Sequence, residues 1–161
     1  MTKFTNVALV CALGLCAMTP ATAQQATPPY GPMSLEQALK VITAAEAEAK
    51  KNNWPVVITV VDSGAHPVAM HRLDNTQLGS LAVAEDKARS VVLYRRPTKA
   101  FEDGLAGGGI GLRILNLRGA SAVDGGAPIM VDGKLIGAVG VSGVLAPQDG
   151  QVATAGANAL K

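Results

Sequence analysis

His66 and His71 are the side chains best suited to chemistry in this chain, because neutral imidazole is a common metal ligand. They are its only histidines. They lie five positions apart on an expected strand, and an odd separation sends two side chains to opposite faces. One chain therefore does not place both on one metal. Each is either a single ligand or a surface and packing residue near a turn. Arg72 follows directly, and its planar guanidinium suits bidentate capture of a carboxylate. An Arg72–Asp74 surface pair is the plainer reading. Met70 has a soft sulfur, but its alternating apolar position fits a core residue. Glu85 and Arg89 are spaced as an ordinary helix pair. The functional alternative for Glu85-Asp86 is an oxygen site for a hard cation.

Other chemistries lack support. Ser142 sits in Gly140-Val-Ser-Gly143-Val, which misses the spacing of a hydrolase nucleophile elbow. Gly133-Lys134 is followed by Leu135, so no phosphate-binding loop forms there. Gly107 to Gly111 does not continue into a dinucleotide fingerprint. Both cysteines, Cys11 and Cys16, fall in the N-terminal apolar stretch. Beyond that stretch the chain has no thiolate for zinc, haem ligation or catalysis.

These residues need a scaffold, and the sequence outlines one. Ser34 and Gln37 form a capping-box pattern. Leu35, Ala38, Leu39, Ile42, Ala45 and Ala49 follow at helical spacing, with Glu46 and Lys50 paired on the outer face. Pro55 blocks continuation. Val56 to Val61 reads as a buried strand, Asp62-Ser63-Gly64 as a turn and Pro67 to Leu73 as a second strand. Residues 78–94 return to helical spacing. Pro97-Thr98 ends that element and caps a short helix over 99–105. Residues 106–111 form a glycine-rich loop, and Arg113 to Leu117 is expected as a short edge strand. Asp132-Gly133 then closes a hairpin. Gly137, Gly140 and Gly143 recur through its second strand, which implies close approach of a backbone, a helix or a ligand, or tight packing alone. Asp149 is expected to cap a last helix over 151–160. Hairpin-joined strands with flanking helices give a single α+β domain, an antiparallel sheet with helices packed on it.

The N-terminus carries Lys3, an apolar run from Val7 to Met18 and Ala21-Thr22-Ala23. This is the pattern of a signal peptide, residues 1–23, too short to span a bilayer. A polar, Pro-rich flexible lead occupies 24–33, and the domain runs over 34–161. The expected location is periplasmic or secreted, with no stable membrane span after cleavage. The formal charge is only +2 and aromatics make up 3% of residues, so nucleic-acid binding has little support.

An ordered set of segments resembles the GlcG/HbpS-like family: Val60 to His66, His71 to Asp74, Ala84 to Ala88, Gly125 to Ile129, Asp132 to Gly143, Gln148-Asp149 and Ala153 to Gly156. The resemblance covers Leu35 to Leu160. It implies an α/β/α sandwich that assembles into homo-oligomers. Secreted members bind haem, some degrade it, and related domains are fused to corrinoid adenosyltransferases. It marks His66, Arg72, Lys87, Gly125, Gly126 and Pro128 as matching positions. Ala65 stands where glycine is usual. The resulting expectation is an exported haem- or tetrapyrrole-binding protein in haem or iron handling. Its pocket lies between the Gly125-Gly126 loop, the His66–Arg72 strand and a neighbouring helix or subunit. His66 or His71 ligates iron, and Arg72 or Lys87 holds propionates. The alternatives are a binder or enzyme for a small hydroxy- or oxo-acid, and an accessory oligomer without ligand. No catalytic constellation is recognisable.

Overall fold

The computed structural model describes residues 32–160. The expected signal peptide and nearly all of the Pro-rich lead lie outside the described residues. Helix α1 (Leu35–Lys51) is followed by β1 (Val57–Asp62), β2 (Pro67–Arg72), α2 (Ser80–Tyr94) and α3 (Lys99–Ala106). A 3₁₀ helix (Gly109–Asn116), β3 (Gly126–Val131), β4 (Lys134–Ser142) and α4 (Ala146–Ala157) complete the domain, with a last short turn at Asn158–Leu160. The four strands form one antiparallel sheet in the order β2-β1-β4-β3.

The capping box forms as expected. The Gln37 amide donates to Ser34 Oγ at 3.1 Å, and the Ser34 amide donates to Gln37 Oε1 at 2.9 Å. The apolar stripe of α1 (Ala38, Val41, Ile42, Ala45 and Ala49) packs with Val152, Ala153 and Ala157 of α4 on one face of the sheet. Ile58 and Val60 of β1 and Val139 and Val141 of β4 meet them there. On the other face Val61 and Ala138 meet Ala88, Val91 and Val92 of α2. Strand β1 is thus buried on both faces, which is why it reads as an unbroken β-branched run. Each such fully buried Val or Ile contributes about 1.5–3 kcal/mol over exposure. The result is the expected α+β fold, an α/β/α sandwich in one domain.

The glycines of β4 are resolved by packing. A Cβ on Gly140 would overlap the carbonyl oxygen of Ala84 and lie 2.6 Å from the Ala88 amide nitrogen, so α2 crosses directly over this strand. Asp132 and Gly133 have φ of 50° and 72°, the left-handed pair that a two-residue hairpin turn requires.

Three local expectations are corrected. Arg113 to Leu117 is not an edge strand, since residues 109–116 coil into the 3₁₀ helix. Ile114 packs against Gly104 of α3. The outer side of Gly126 is already occupied, because Thr98 donates its amide to the Gly126 carbonyl at 3.2 Å. The Thr98 hydroxyl accepts the Gly126 amide at 2.8 Å, so its side chain holds β3 and makes no cap on α3. Finally, Asp149 does not cap α4, which begins at Ala146. Pro147 lies in its first turn, and Gln148 reaches back to accept the Leu145 amide at 3.1 Å. Asp149 is left one turn inside, facing the core.

Candidate functional site

The sequence-marked residues separate into two groups on opposite edges of the sheet. Lys87, Gly125, Gly126 and Pro128 gather around β3. His66, His71 and Arg72 lie along β2. Two strands stand between these edges, a separation of about 14 Å at ordinary strand spacing. One chain therefore does not enclose a pocket between the Gly125-Gly126 loop and the His66–Arg72 strand.

On the β3 side, the geometry is that of an internal brace. The Lys87 side chain is 1% exposed. Its Nζ donates to Asp149 Oδ2 at 2.8 Å and to the Val141 carbonyl at 2.9 Å. Asp149 Oδ1 accepts the Val144 amide at 3.2 Å. Burial outweighs the attraction of Lys87 and holds the Asp149 carboxyl above its ordinary range. Gly125, at φ 124°, sits where a Cβ would lie 2.7 Å from Lys87 Nζ and 2.8 Å from Asp149 Cβ. Gly126 sits equally close to Val91 and the Lys87 carbonyl. These glycines make room for the bridge that ties α2 to β4 and α4. The expectation that Lys87 holds propionates is corrected, because its ammonium is enclosed and already satisfied. Pro128 is half-buried in β3 opposite Ala138. Beside this brace, Asp124 accepts the Gly125 amide at 2.6 Å and gives its own amide to Glu102. Partial burial raises its carboxyl as well.

On the β2 side, the residues are accessible. His66 lies in the β1–β2 turn, one residue before β2 begins, with its side chain 79% exposed. Asp62 Oδ1 organises that turn by accepting the Gly64 and His66 amides at 2.8 and 2.9 Å. Ala65 occupies φ 65° there, a left-handed conformation that glycine would adopt without strain. His71 pairs across from Ile58, and so shares the face covered by α1. Its Nδ1 lies 2.5 Å from Glu46 Oε1. Glu46 Oε2 in turn accepts from Lys50 at 2.6 Å. Lys50 first, and His71 second, hold the Glu46 carboxyl below the ordinary range. His71 Nε2 has no hydrogen-bond partner among the described residues, and the side chain is 46% exposed. Arg72 is exposed on the opposite face of β2 and makes no ion pair among the described residues. The two histidines stand at opposite ends of the strand, roughly 16 Å apart. Helical spacing puts Glu46 on the outer face with Lys50, whereas its contact with His71 crosses from helix to sheet and leaves no local spacing to read. No cluster of three or more metal-ligating acidic, histidine or cysteine side chains occurs among the described residues. No helix among them is long and apolar enough to cross a membrane.

An antiparallel sheet between helical layers, with an internal Lys–Asp brace and a histidine beside a carboxylate on the β2 edge, defines a small α/β/α sandwich. Residues 33–158 match the family described as haem degrading protein HbpS-like, and the chain belongs to that family. Protein GlcG of Escherichia coli strain K12 is 41% identical over 110 residues, which cover 68% of this chain and 81% of GlcG. HbpS of Streptomyces reticuli, in a double-mutant crystal structure, superposes with a TM-score of 0.73 at 28% identity, covering 98% of this chain and 99% of that one. The crystal structure of a PduOC:heme complex aligns with a TM-score of 0.72 at 26% identity, covering 81% of this chain and 96% of its own.

Proposed function

We propose that this protein is an exported binder of haem or a closely related tetrapyrrole, with His71 as the iron ligand. The observation that carries the reading is the His71–Glu46 contact. A ligating histidine commonly donates its second ring N–H to a carboxylate, which fixes the tautomer and raises the basicity of the free nitrogen. Glu46 Oε1 stands 2.5 Å from Nδ1, as such a supporting carboxylate would, and Nε2 has no hydrogen-bond partner among the described residues. Family membership and the heme complex of a structural neighbour support the same ligand class. Haem would supply redox-active iron, and His71 would supply an imidazole to hold it. Arg72, exposed at the next position on the other face of the strand, would be the cation available to hold a propionate. Because β2 is an open edge and one chain offers one oriented histidine, a second copy completes the enclosure, and the active form is a homo-oligomer. The Ala21-Thr22-Ala23 site and the apolar run before it support export.

A haemin titration followed by absorbance tests the proposal. The wild-type protein and His66→Ala give a saturable, sharpened Soret band, and His71→Ala loses it. Glu46→Gln keeps the band but weakens binding about 10- to 100-fold, the usual effect of removing such a supporting carboxylate. A Soret band unchanged in His71→Ala overturns the assignment.

A further inference from the structure

The glycine-rich segment after α3 takes no part in either edge, yet it builds a cavity. Between α3 and the 3₁₀ helix lies a concavity of about 480 Å³, within the range of small-molecule sites. Its base is Phe101, which is buried at 3% exposure. Phe101 is held edge-on by Tyr94, with ring centroids 5.2 Å apart. Tyr94 is itself anchored by its hydroxyl, which donates to the Arg118 carbonyl at 2.7 Å. Ile110, Ile114 and Leu117 add aliphatic wall. The glycines explain why the walls stand where they do. A Cβ on Gly111 would overlap the Gly104 carbonyl, so the two helices touch backbone to backbone. Gly108 and Gly109, at φ 63° and 54°, turn the chain at the rim. The cavity is therefore preformed.

Its charged side chains without an ion-pair partner among the described residues are of one sign. Arg96 and Arg113 line the cavity. The Arg96 guanidinium lies 5.4 Å from the Phe101 ring centroid. Neither arginine has a carboxylate within ion-pair distance among the described residues, whereas the one acidic lining residue, Asp103, is paired with Lys99. Two uncompensated guanidinium groups over an apolar base complement a ligand with an apolar body and a carboxylate head.

We propose that the cavity between α3 and the 3₁₀ helix binds a small organic acid of this kind, with Arg96 and Arg113 gripping the carboxylate and Phe101, Ile110 and Ile114 covering the body. The site contains no histidine and lies apart from His71, so it is independent of iron ligation.

Calorimetric titration with decanoate and with naphthoate, paired with amide NMR shifts, tests this; the two probes separate an alkyl from an aromatic body. The expected result is saturable binding of at least one acid, with shifts confined to residues 96–117. Decanol, which lacks the charge, binds at least tenfold more weakly. Arg113→Ala lowers affinity at least tenfold, and Ala100→Phe, which fills the cavity from the exposed side of α3, abolishes binding. His71→Ala binds the acid normally, and Ala100→Phe still binds haemin. Absence of saturable binding, shifts centred on β2, an unaffected Arg113→Ala variant, or displacement of the acid by haemin overturns the proposal.

Discussion

Lys87 shows how a residue can match a pattern for one reason and act for another. Its place beside Ala88 in a helical stretch is visible in the sequence, but its partner lies 62 positions away at Asp149. Nothing in local spacing joins them, and Asp149 by itself looks like a helix cap. Once enclosed, the two charges depend on each other. Removing one partner of a buried pair leaves an unpaired charge and typically costs about 3–5 kcal/mol. Lys87→Met should therefore lower unfolding free energy by an amount of that order in urea denaturation. Combining it with Asp149→Asn should recover most of the loss. The amide carries no charge and keeps an oxygen for the Val144 amide, now bonded to Asp149 Oδ1 at 3.2 Å. A double variant as unstable as the single one would show that the brace acts through shape alone. His66, by contrast, is read from the sequence as part of the second strand but lies in the turn before it, with its Nδ1 3.6 Å from Asp62 Oδ1, beyond hydrogen-bond reach. It is mostly exposed in a turn, while His71 acquires its orientation from a helix 25 positions earlier in the chain.

Elements were more legible than contacts. The two long helices and the Asp132-Gly133 hairpin follow from periodicity, a capping box and turn chemistry, all of which act over a few residues. The 3₁₀ helix was not legible. Its apolar residues suit a short strand, and only the occupation of Gly126 by Thr98 and the docking of Ile114 on Gly104 decide otherwise. The spacing of the β4 glycines signalled close approach but could not say of what, and the structure answers with the backbone of α2 over Gly140. The same hairpin contains a glycine of the other kind. At Gly133 a Cβ would meet nothing within 4 Å, and only its φ of 72° asks for glycine. Gly133→Ala should then cost about 1–2 kcal/mol, the penalty of a left-handed residue. Gly140→Ala should cost about 3 kcal/mol or more, because α2 must shift off the sheet. Thermal melts of the two variants rank them. Equal losses would mean that α2 can move without disturbing the rest of the core.

At the scale of the whole molecule, the carboxylates are arranged so that acid acts on them in opposing directions. All twelve Asp and Glu residues of the chain fall within residues 32–160. Glu36 and Glu48 are held low by neighbours but lie open to solvent, where screening leaves such interactions little weight. Glu46 is more enclosed, and Lys50 and then His71 hold it below its ordinary value of 4.5. A depressed carboxyl contributes stability that is complete above its unfolded value and is lost as pH falls through the folded one. Asp124 is raised above 3.8, chiefly by burial. The folded state then binds its proton more readily than the unfolded chain does, so its contribution improves as pH falls through that window. Urea denaturation of the ligand-free protein between about pH 2.5 and 6 separates the two effects. Glu46→Gln should flatten the loss of stability below 4.5. Asp124→Asn should steepen it, since it removes a group that opposes acid unfolding while keeping an acceptor for the Gly125 amide. If both variants merely lower the whole curve without changing its slope, acid unfolding is governed by the general accumulation of positive charge. The His71–Glu46 contact would then be too weak in the free protein to orient the imidazole before a ligand arrives.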